Sequence, residues 1–206
     1  MFRSTALAAS LLLALASSAA GAESAPRRHD GFYLRIGAGP GWTIGSAESN
    51  GLTSDLSGFG AAGEIAAGWS LAPGFVVGFG QYGVHTFGPT YSPSEGGDFD
   101  GGALAMAGLG PFIDYYIDPA KGLHVQAAAL FATAVAFEEG DIEGASGFGF
   151  GGMLGGGWEM WFADEWSVGG LLRVAYYRPT VQGDDTRIDS TYGVFVPALL
   201  VATTFH

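Results

Sequence analysis

The sequence predicts an all-β fold: an eight-stranded antiparallel up-and-down transmembrane β-barrel with short periplasmic turns and long extracellular loops. Three observations predict it. Apolar side chains recur with period two in eight segments, each about the length of a strand. The connections between these segments alternate between short and long. Charged residues make up 14% of the chain, against about 25% in soluble proteins, which is too few for a barrel with water outside.

The first residues are expected to leave before the chain folds. Arg3 supplies a positive charge, an apolar stretch follows it, and Ala20-Gly21-Ala22 fits the cleavage pattern of a secretory signal peptide. We therefore expect a cleaved signal peptide at 1–22, an N-terminal periplasmic segment at 23–30 and a barrel at 31–206. The chain has no cysteine, so no disulfide framework stabilises this exported protein.

The alternation gives each strand two different faces. In the first strand Phe32, Leu34 and Ile36 share one face, whereas Tyr33 and Arg35 share the other. Across the set, one face is bulky and apolar, and the other is small with isolated charges. The predicted strands cover 31–43, 58–71, 75–87, 103–117, 123–137, 147–162, 166–178 and 190–205. These lengths suit a tilted strand that crosses a bilayer, which needs about 9–11 residues.

The connections indicate which end of the barrel is which. The short links lie at 72–74, 118–122 and 163–165. The long links, rich in Gly, Ser, Asp and Glu, lie at 44–57, 88–102, 138–146 and 179–189. In outer-membrane barrels the short turns are periplasmic and the long loops are extracellular.

The bulky face is predicted to contact lipid. A soluble barrel such as a lipocalin would turn that face inward and leave a Gly/Ala face to water, which would make it poorly soluble. Aromatic side chains at both ends of the strands are typical of the girdles at membrane–water interfaces. The predicted girdle residues are Phe32, Trp42, Trp69, Trp158, Phe162, Trp166 and Phe205.

The small face carries charges that would point into the lumen. A lone buried charge is costly, so opposite charges are expected to pair. The predicted lumen polar network consists of Arg35, Glu64, Asp114, Glu159 and Arg173. A plug of ion pairs is the leading interpretation, and a gated narrow pore and a proton-transfer site remain alternatives.

Two local features complicate this pattern. In the third strand Gln81 and His85 share the parity of the apolar Phe75 and Val77, which predicts a register shift near 78–80. Pro40, Pro111 and Pro197 also lie within predicted strands. Proline cannot donate to a strand ladder, so bulges or local breaks are expected at Pro40 and Pro197, in the two strands that must pair to close the barrel.

The sequence predicts no catalytic, cofactor or metal site. The G-x-G-x-x-G match at 147–152 continues as a strand and not as the helix that a dinucleotide site needs. The four histidines lack metal-binding spacing. The net charge of −12 excludes nucleic acid as a partner. The acid-rich loops, with an incomplete calcium-loop pattern at 96–102, leave weak divalent-cation binding open.

The final strand, YGVFVPALLVATTFH, completes a resemblance to the small eight-stranded outer-membrane proteins, the OmpA transmembrane domain, OmpX and OmpW-like group. Its alternating apolar residues and its near-terminal aromatic are Phe195, Leu199, Val201 and Phe205. The resemblance implies that the barrel-assembly machinery reads this strand, although His206 after the aromatic departs from the pattern. It also implies signal-peptide-dependent export to the outer membrane of a Gram-negative bacterium, in contact with lipid and lipopolysaccharide.

These predictions give a functional hypothesis. The chain is expected to be a non-enzymatic integral outer-membrane barrel with a structural, envelope-integrity or surface-interaction role through its acidic loops. One alternative is a narrow pore for ions or small apolar solutes. Another is an outer-membrane hydrolase that modifies lipid. A soluble periplasmic barrel is the alternative from a different structural class.

Overall fold

The computed structural model describes residues 27–49, 51–94, 96–137, 145–182 and 189–206. Ten strands lie in this described part: β1 (Phe32–Ser49), β2 (Leu52–Ala72), β3 (Phe75–Phe87), β4 (Thr90–Pro93), β5 (Phe99–Asp100), β6 (Ala103–Tyr116), β7 (Gly122–Phe137), β8 (Ala145–Trp161), β9 (Trp166–Gln182) and β10 (Asp189–Phe205). Within these residues no helix has the length and apolar character needed to cross a membrane.

Eight of these strands form a closed barrel. Their order around the sheet is β1-β10-β9-β8-β7-β6-β3-β2, and β2 pairs with β1 again to close the ring. Every pairing is antiparallel, and consecutive barrel strands are neighbours. The predicted fold class is therefore confirmed. Both termini of the ring lie at the end with the short connections, called the turn end below, and the opposite end is the loop end.

The strands extend further toward the loop end than predicted. β1 continues to Ser49 and β2 begins at Leu52, so most of the predicted loop 44–57 is a paired hairpin. Gly51 adopts a φ of +75° at the tip of this hairpin, a conformation that glycine tolerates best. Backbone pairing does not depend on apolar side chains, which is why a polar segment could continue the sheet beyond the predicted membrane strand.

The predicted register shift in β3 is wrong. β3 pairs continuously with β2 from Thr86↔Gly60 to Val76↔Ser70, and the one irregularity lies beside the turn, between Ser70 and Ala72. Gln81 and His85 therefore point outward with the apolar residues of their parity. A one-residue slip would have turned the buried side chains of this strand outward.

The prolines interrupt the ladder without a bulge. Between β1 and β10, the pairing stops after Ala38↔Val201 and resumes at Gly41↔Ala198, and a second gap follows before Ile44↔Phe195. Pro40 lies in the first gap and Pro197 in the second. The register is the same on both sides of each gap, so the irregularities are the local breaks that the sequence predicted as one of two alternatives. The missing N–H accounts for the interruption.

The barrel is filled inside and apolar outside. Large side chains such as Tyr33, Tyr82 and Leu104 are buried in the lumen. The outward positions carry exposed bulky residues all round, among them Phe150 at 75% exposure and Val201 at 69%. Water would disfavour so extensive an apolar exterior, whereas lipid matches it.

Candidate functional site

The five predicted lumen charges lie inside the barrel in two separate groups. Near the turn end, Arg35 Nη2 lies 2.7 Å from Glu159 Oε1 and 3.0 Å from Asp114 Oδ2. These three residues form the lower cluster. Closer to the middle, Arg173 Nη1 lies 3.1 Å from Glu64 Oε2, and these two form the upper pair. The structure thus shows two ionic groups where the sequence predicted one network.

Strand parity and register bring the lower cluster together. Arg35 is an inward residue of β1, Asp114 of β6 and Glu159 of β8, and each lies within a few residues of the turn end of its strand. Because these strands lie on different sides of the barrel, their side chains meet across the lumen. The small residues of β8 leave room for them: a Cβ at Gly157 would meet the ring of His124.

The guanidinium of Arg35 is fully enclosed by acceptors. Its Nε donates to Thr204 Oγ1 at 3.1 Å, and its Nη1 donates to Gln126 Oε1 at 3.1 Å. Nη2 donates to Tyr116 OH at 2.8 Å in addition to the two carboxylates. A buried charge is tolerated when it is paired and hydrogen-bonded in this way.

The two carboxylates of the lower cluster have further donors. Tyr33 OH donates to Asp114 Oδ2 at 2.9 Å, and His124 Nδ1 lies 2.8 Å from Asp114 Oδ1. Ser167 Oγ donates to Glu159 Oε2 at 2.5 Å. Thr204 Oγ1 donates to Glu159 Oε1 at 2.9 Å. The cluster is therefore a dense hydrogen-bonded network that fills the lumen at this level.

The upper pair is fixed against the barrel wall. Arg173 Nη1 donates to the backbone oxygen of Gly63 at 3.1 Å, and Nη2 donates to that of Gly83 at 3.2 Å. Among the described residues, Glu64 Oε1 and Arg173 Nε are buried without a hydrogen-bond partner. The pair is thus less completely satisfied than the lower cluster.

The segment 27–30, called the strap below, crosses the mouth of the barrel at the turn end. The amide of Arg27 donates to Asp164 O at 2.9 Å, and that of His29 donates to Pro119 O at 2.9 Å. The amide of Gly74 donates to His29 O at 2.7 Å. The strap therefore contacts all three short turns.

Three histidines take part in the site, although their spacing in the sequence does not indicate it. His29 enters from the strap, His124 from β7 and His206 from the end of β10, and all three are buried. His29 Nδ1 lies 2.9 Å from His206 Nε2, and the ring of His29 stacks on Tyr116 with centroids 3.5 Å apart. The parity of β7 and β10 would have pointed His124 and His206 inward. The contact between His29 and His206 spans 177 positions, which no local spacing encodes.

Burial determines the charge state of the two histidines outside the strands. It lowers the pKa of His29 to about 3, and the neighbouring His206 adds to the shift. The pKa of His206 is also lowered, chiefly by burial, although Glu159 opposes the shift. Both imidazoles are therefore neutral near pH 7, each with one nitrogen able to accept.

One trio of potential metal ligands occurs in the described part of the chain: His29, Glu159 and His206, whose ligand atoms all lie within 4.8 Å of one another. Ser167 lies beside them, with Oγ 3.5 Å from His206 Nε2. Because Ser167 donates to Glu159 and is buried, its geometry is not that of a serine activated by an imidazole base. His85 lies away from this site, on the outward face of β3.

The other predicted residues lie on the exterior. Five of the girdle residues are well exposed: Trp42, Trp69, Trp158, Phe162 and Trp166. Phe32 and Phe205 are half-buried and lie 6.1 Å apart, centroid to centroid. In β10, Phe195, Leu199 and Val201 are exposed on the same outward face as Phe205. Trp161, in contrast, turns inward and packs on His29.

The acidic loops are described only in part. Asp98 and Asp100 are exposed, and Asp100 Oδ1 accepts a hydrogen bond of 3.0 Å from Thr90 Oγ1. Most of the acidic residues in the long links, including Glu95, those of 138–143 and those of 184–185, lie outside the described residues. Divalent-cation binding by these loops therefore stays a prediction.

Comparison with solved structures shows where this fold occurs. The chain is similar to the outer membrane protein OprG from Pseudomonas aeruginosa, with 10% identity, 88% of this chain and 99% of OprG covered, and a TM-score of 0.52. It is also similar to the structure of the outer membrane protein AlkL in lipid bilayers, with 11% identity, 89% of this chain and 93% of AlkL covered, and a TM-score of 0.54. No protein-family model and no curated protein matches the chain. At these identities the likeness concerns the fold, and the fold with its apolar exterior is that of an integral outer-membrane β-barrel.

Proposed function

We propose that this chain is a closed outer-membrane barrel with a structural or surface-interaction role, and that its lumen does not conduct. The observation that carries the proposal is the filled lumen, in which Arg35 and Arg173 are both fully buried. Eight strands enclose a space that side chains alone can fill. The loop end, with its acidic residues, is then the part available for contact with lipopolysaccharide or other surface partners.

Closure is supported at two levels of the barrel. At the turn end, the lower cluster spans the lumen and the strap crosses the mouth beneath it. Near the middle, Arg173 reaches from β9 to the backbone of β2 and β3 on the opposite wall. Apolar side chains such as Leu104 and Met106 are buried toward the loop end. An ion would have to disrupt both ionic groups to pass.

Planar-bilayer recording of the refolded chain tests this proposal. The wild type should give no single-channel steps. The variant Arg35→Ala/Arg173→Ala, which empties both levels of the lumen, should give steps if it remains folded. Arg178→Ala is the matched control, since Arg178 is exposed, and it should stay silent. Reproducible steps from the wild type would overturn the closed-barrel proposal.

Passage of small apolar solutes through the wall is a second candidate, and one observation favours it. At the two ladder gaps between β1 and β10, an outward groove of about 270 Å³ is lined by apolar residues that include Pro40, Trp42, Pro197 and Leu199. Replacing both prolines by valine would restore the missing donors. The test is uptake of an apolar dye into vesicles that contain the protein. Lower uptake with Pro40→Val/Pro197→Val than with the wild type supports this candidate, and wild-type uptake equal to that of vesicles without protein excludes it.

A further inference from the structure

The trio His29, Glu159 and His206 brings together ligand atoms from three parts of the chain. His29 belongs to the strap, Glu159 to β8 and His206 to the end of β10. His29 Nδ1 lies 2.9 Å from His206 Nε2, and His206 Nε2 lies 3.8 Å from Glu159 Oε2. Each of the three side chains is buried. This site is independent of the proposed function and of the loop acids.

We propose that this trio binds one transition-metal ion of the zinc class. Two imidazoles and one carboxylate are a ligand set that Zn²⁺ takes in proteins, with bonds of about 2.0–2.1 Å. Such bonds in tetrahedral geometry place neighbouring ligand atoms about 3.3 Å apart, and the two distances above lie on either side of that value. All three ligand atoms lie within 4.8 Å of one another, so the side chains must draw together to coordinate one ion.

Ser167 completes the fourth side of the site. Its Oγ lies 2.5 Å from Glu159 Oε2 and 3.5 Å from His206 Nε2. The hydroxyl can bind the ion or hold a water molecule that does so. The ligand set also selects the metal, because imidazole suits zinc, copper and nickel, whereas calcium and magnesium prefer sites made of oxygen ligands.

The charge balance of the surrounding residues favours a cation. The lower cluster contains one guanidinium, Arg35, and two carboxylates, Asp114 and Glu159. These three side chains sum to one net negative charge, and an uncompensated buried charge is costly. A metal ion beside Glu159 supplies the missing positive charge. A proton shared by the imidazoles is the rival source of that charge.

A metal ion here would join the strap to the end of β10. His29 lies in the strap, which the three short turns hold by backbone hydrogen bonds. His206 follows the last residue of the strand that closes the ring. Coordination by both would fix the strap across the mouth and would favour the folded state, since binding of an ion to the native chain alone raises its stability.

Metal analysis of the refolded, untagged chain tests the proposal. Zinc is supplied during refolding, so that access to a buried site does not limit loading, and free metal is removed by gel filtration in millimolar magnesium. We expect one zinc per barrel, and none in His29→Ala, whose side chain lies outside the barrel strands. His85→Ala is the matched control, since His85 lies on the outward face, and it should keep the ion.

Cobalt provides a second measurement that does not depend on a variant's folding. Co²⁺ in the wild type should give the intense visible absorption of a low-coordinate site, and zinc should displace it. An apparent unfolding midpoint that rises with zinc in the wild type but not in His29→Ala is expected as well. Three results would each overturn the proposal: removal of the zinc by magnesium, full retention of zinc by His29→Ala, or no uptake of zinc by the wild type. If the wild type takes up no zinc, a proton shared by the two imidazoles is the remaining source of the positive charge.

Discussion

Replacing Glu159 by leucine tests the lower cluster directly. Removing one partner of a buried ion pair costs about 3–5 kcal/mol, and Asp114, 3.0 Å from the same Arg35 nitrogen, keeps this loss near the lower figure. Ser167 and Thr204 also lose their carboxylate acceptor, at about 1 kcal/mol each. Burial of the apolar leucine side chain offsets about 1 kcal/mol of this loss in the free energy of unfolding. The expected loss in the free energy of unfolding is therefore about 4 kcal/mol.

The assay is urea unfolding of the chain refolded into lipid vesicles, followed by the shift in gel migration between folded and unfolded barrel. Glu159→Gln is the informative companion, because it keeps a carbonyl acceptor in the same shape and should lose less stability than Glu159→Leu. Glu48→Leu is the control, since Glu48 is exposed, and a change within about 0.5 kcal/mol is expected. A Glu159→Leu protein within about 1 kcal/mol of wild type would refute the argument that Arg35 depends on this partner.

Three further predictions concern the turns and the outer face. Hydrogen bonds from the backbone N–H of Ala120 and from the side chain of Lys121 hold the pKa of Asp118 below its usual 3.8. The wild type should therefore be more stable than Asp118→Asn at pH 7, and this difference should disappear as the pH falls below 3.8 toward the folded pKa. Urea titrations at several pH values check this, and a difference that persists in acid contradicts it. Gln81→Leu should stabilise the barrel in vesicles by about 1–3 kcal/mol, because an amide facing lipid lacks the hydrogen bonds of water; lower stability in urea unfolding would count against a lipid-facing β3. Phe205→Ala removes an aromatic ring whose centroid lies 5.2 Å from that of Trp166. The fraction of assembled barrel in cells, measured by gel migration, should fall in this variant. An unchanged fraction would contradict a role of Phe205 in assembly.

Much of the fold could be predicted because lipid and lumen impose opposite demands on alternate residues. Period two in β8 placed Trp158 outward and Glu159 inward, and the structure agrees. The ends of β1 and β2 could not be predicted, because backbone pairing continues where side-chain alternation fades. Gln81 was misinterpreted because polarity was given more weight than register, although the register of a whole strand outweighs one amide.

The site was less predictable than the fold for a related reason. The inward charges could be read from parity, but their partners depend on which strands lie opposite each other across the lumen. Arg35 meets Asp114 and Glu159, whereas Arg173 meets Glu64. The contact of His29 with His206 spans 177 residues, and His29 lies in a segment with no alternation to read. Closure of the ring, and not any local motif, creates that contact.

The ladder gaps at Pro40 and Pro197 have a consequence for how the ring closes. β1 and β10 are the most distant strands in sequence, so their pairing carries the largest loop-closure cost and should form last. The seam has two uninterrupted runs of pairs, Leu34↔Phe205 to Ala38↔Val201 toward the turn end and Ile44↔Phe195 to Ser49↔Ser190 toward the loop end. The first run lies beside the strap and His206, which contact the same end of the barrel, so closure should start there and pass the two gaps before the second run forms. Amide hydrogen exchange along β10 should show the greatest protection near Thr204 and a minimum between Val196 and Leu200, where the ladder is interrupted.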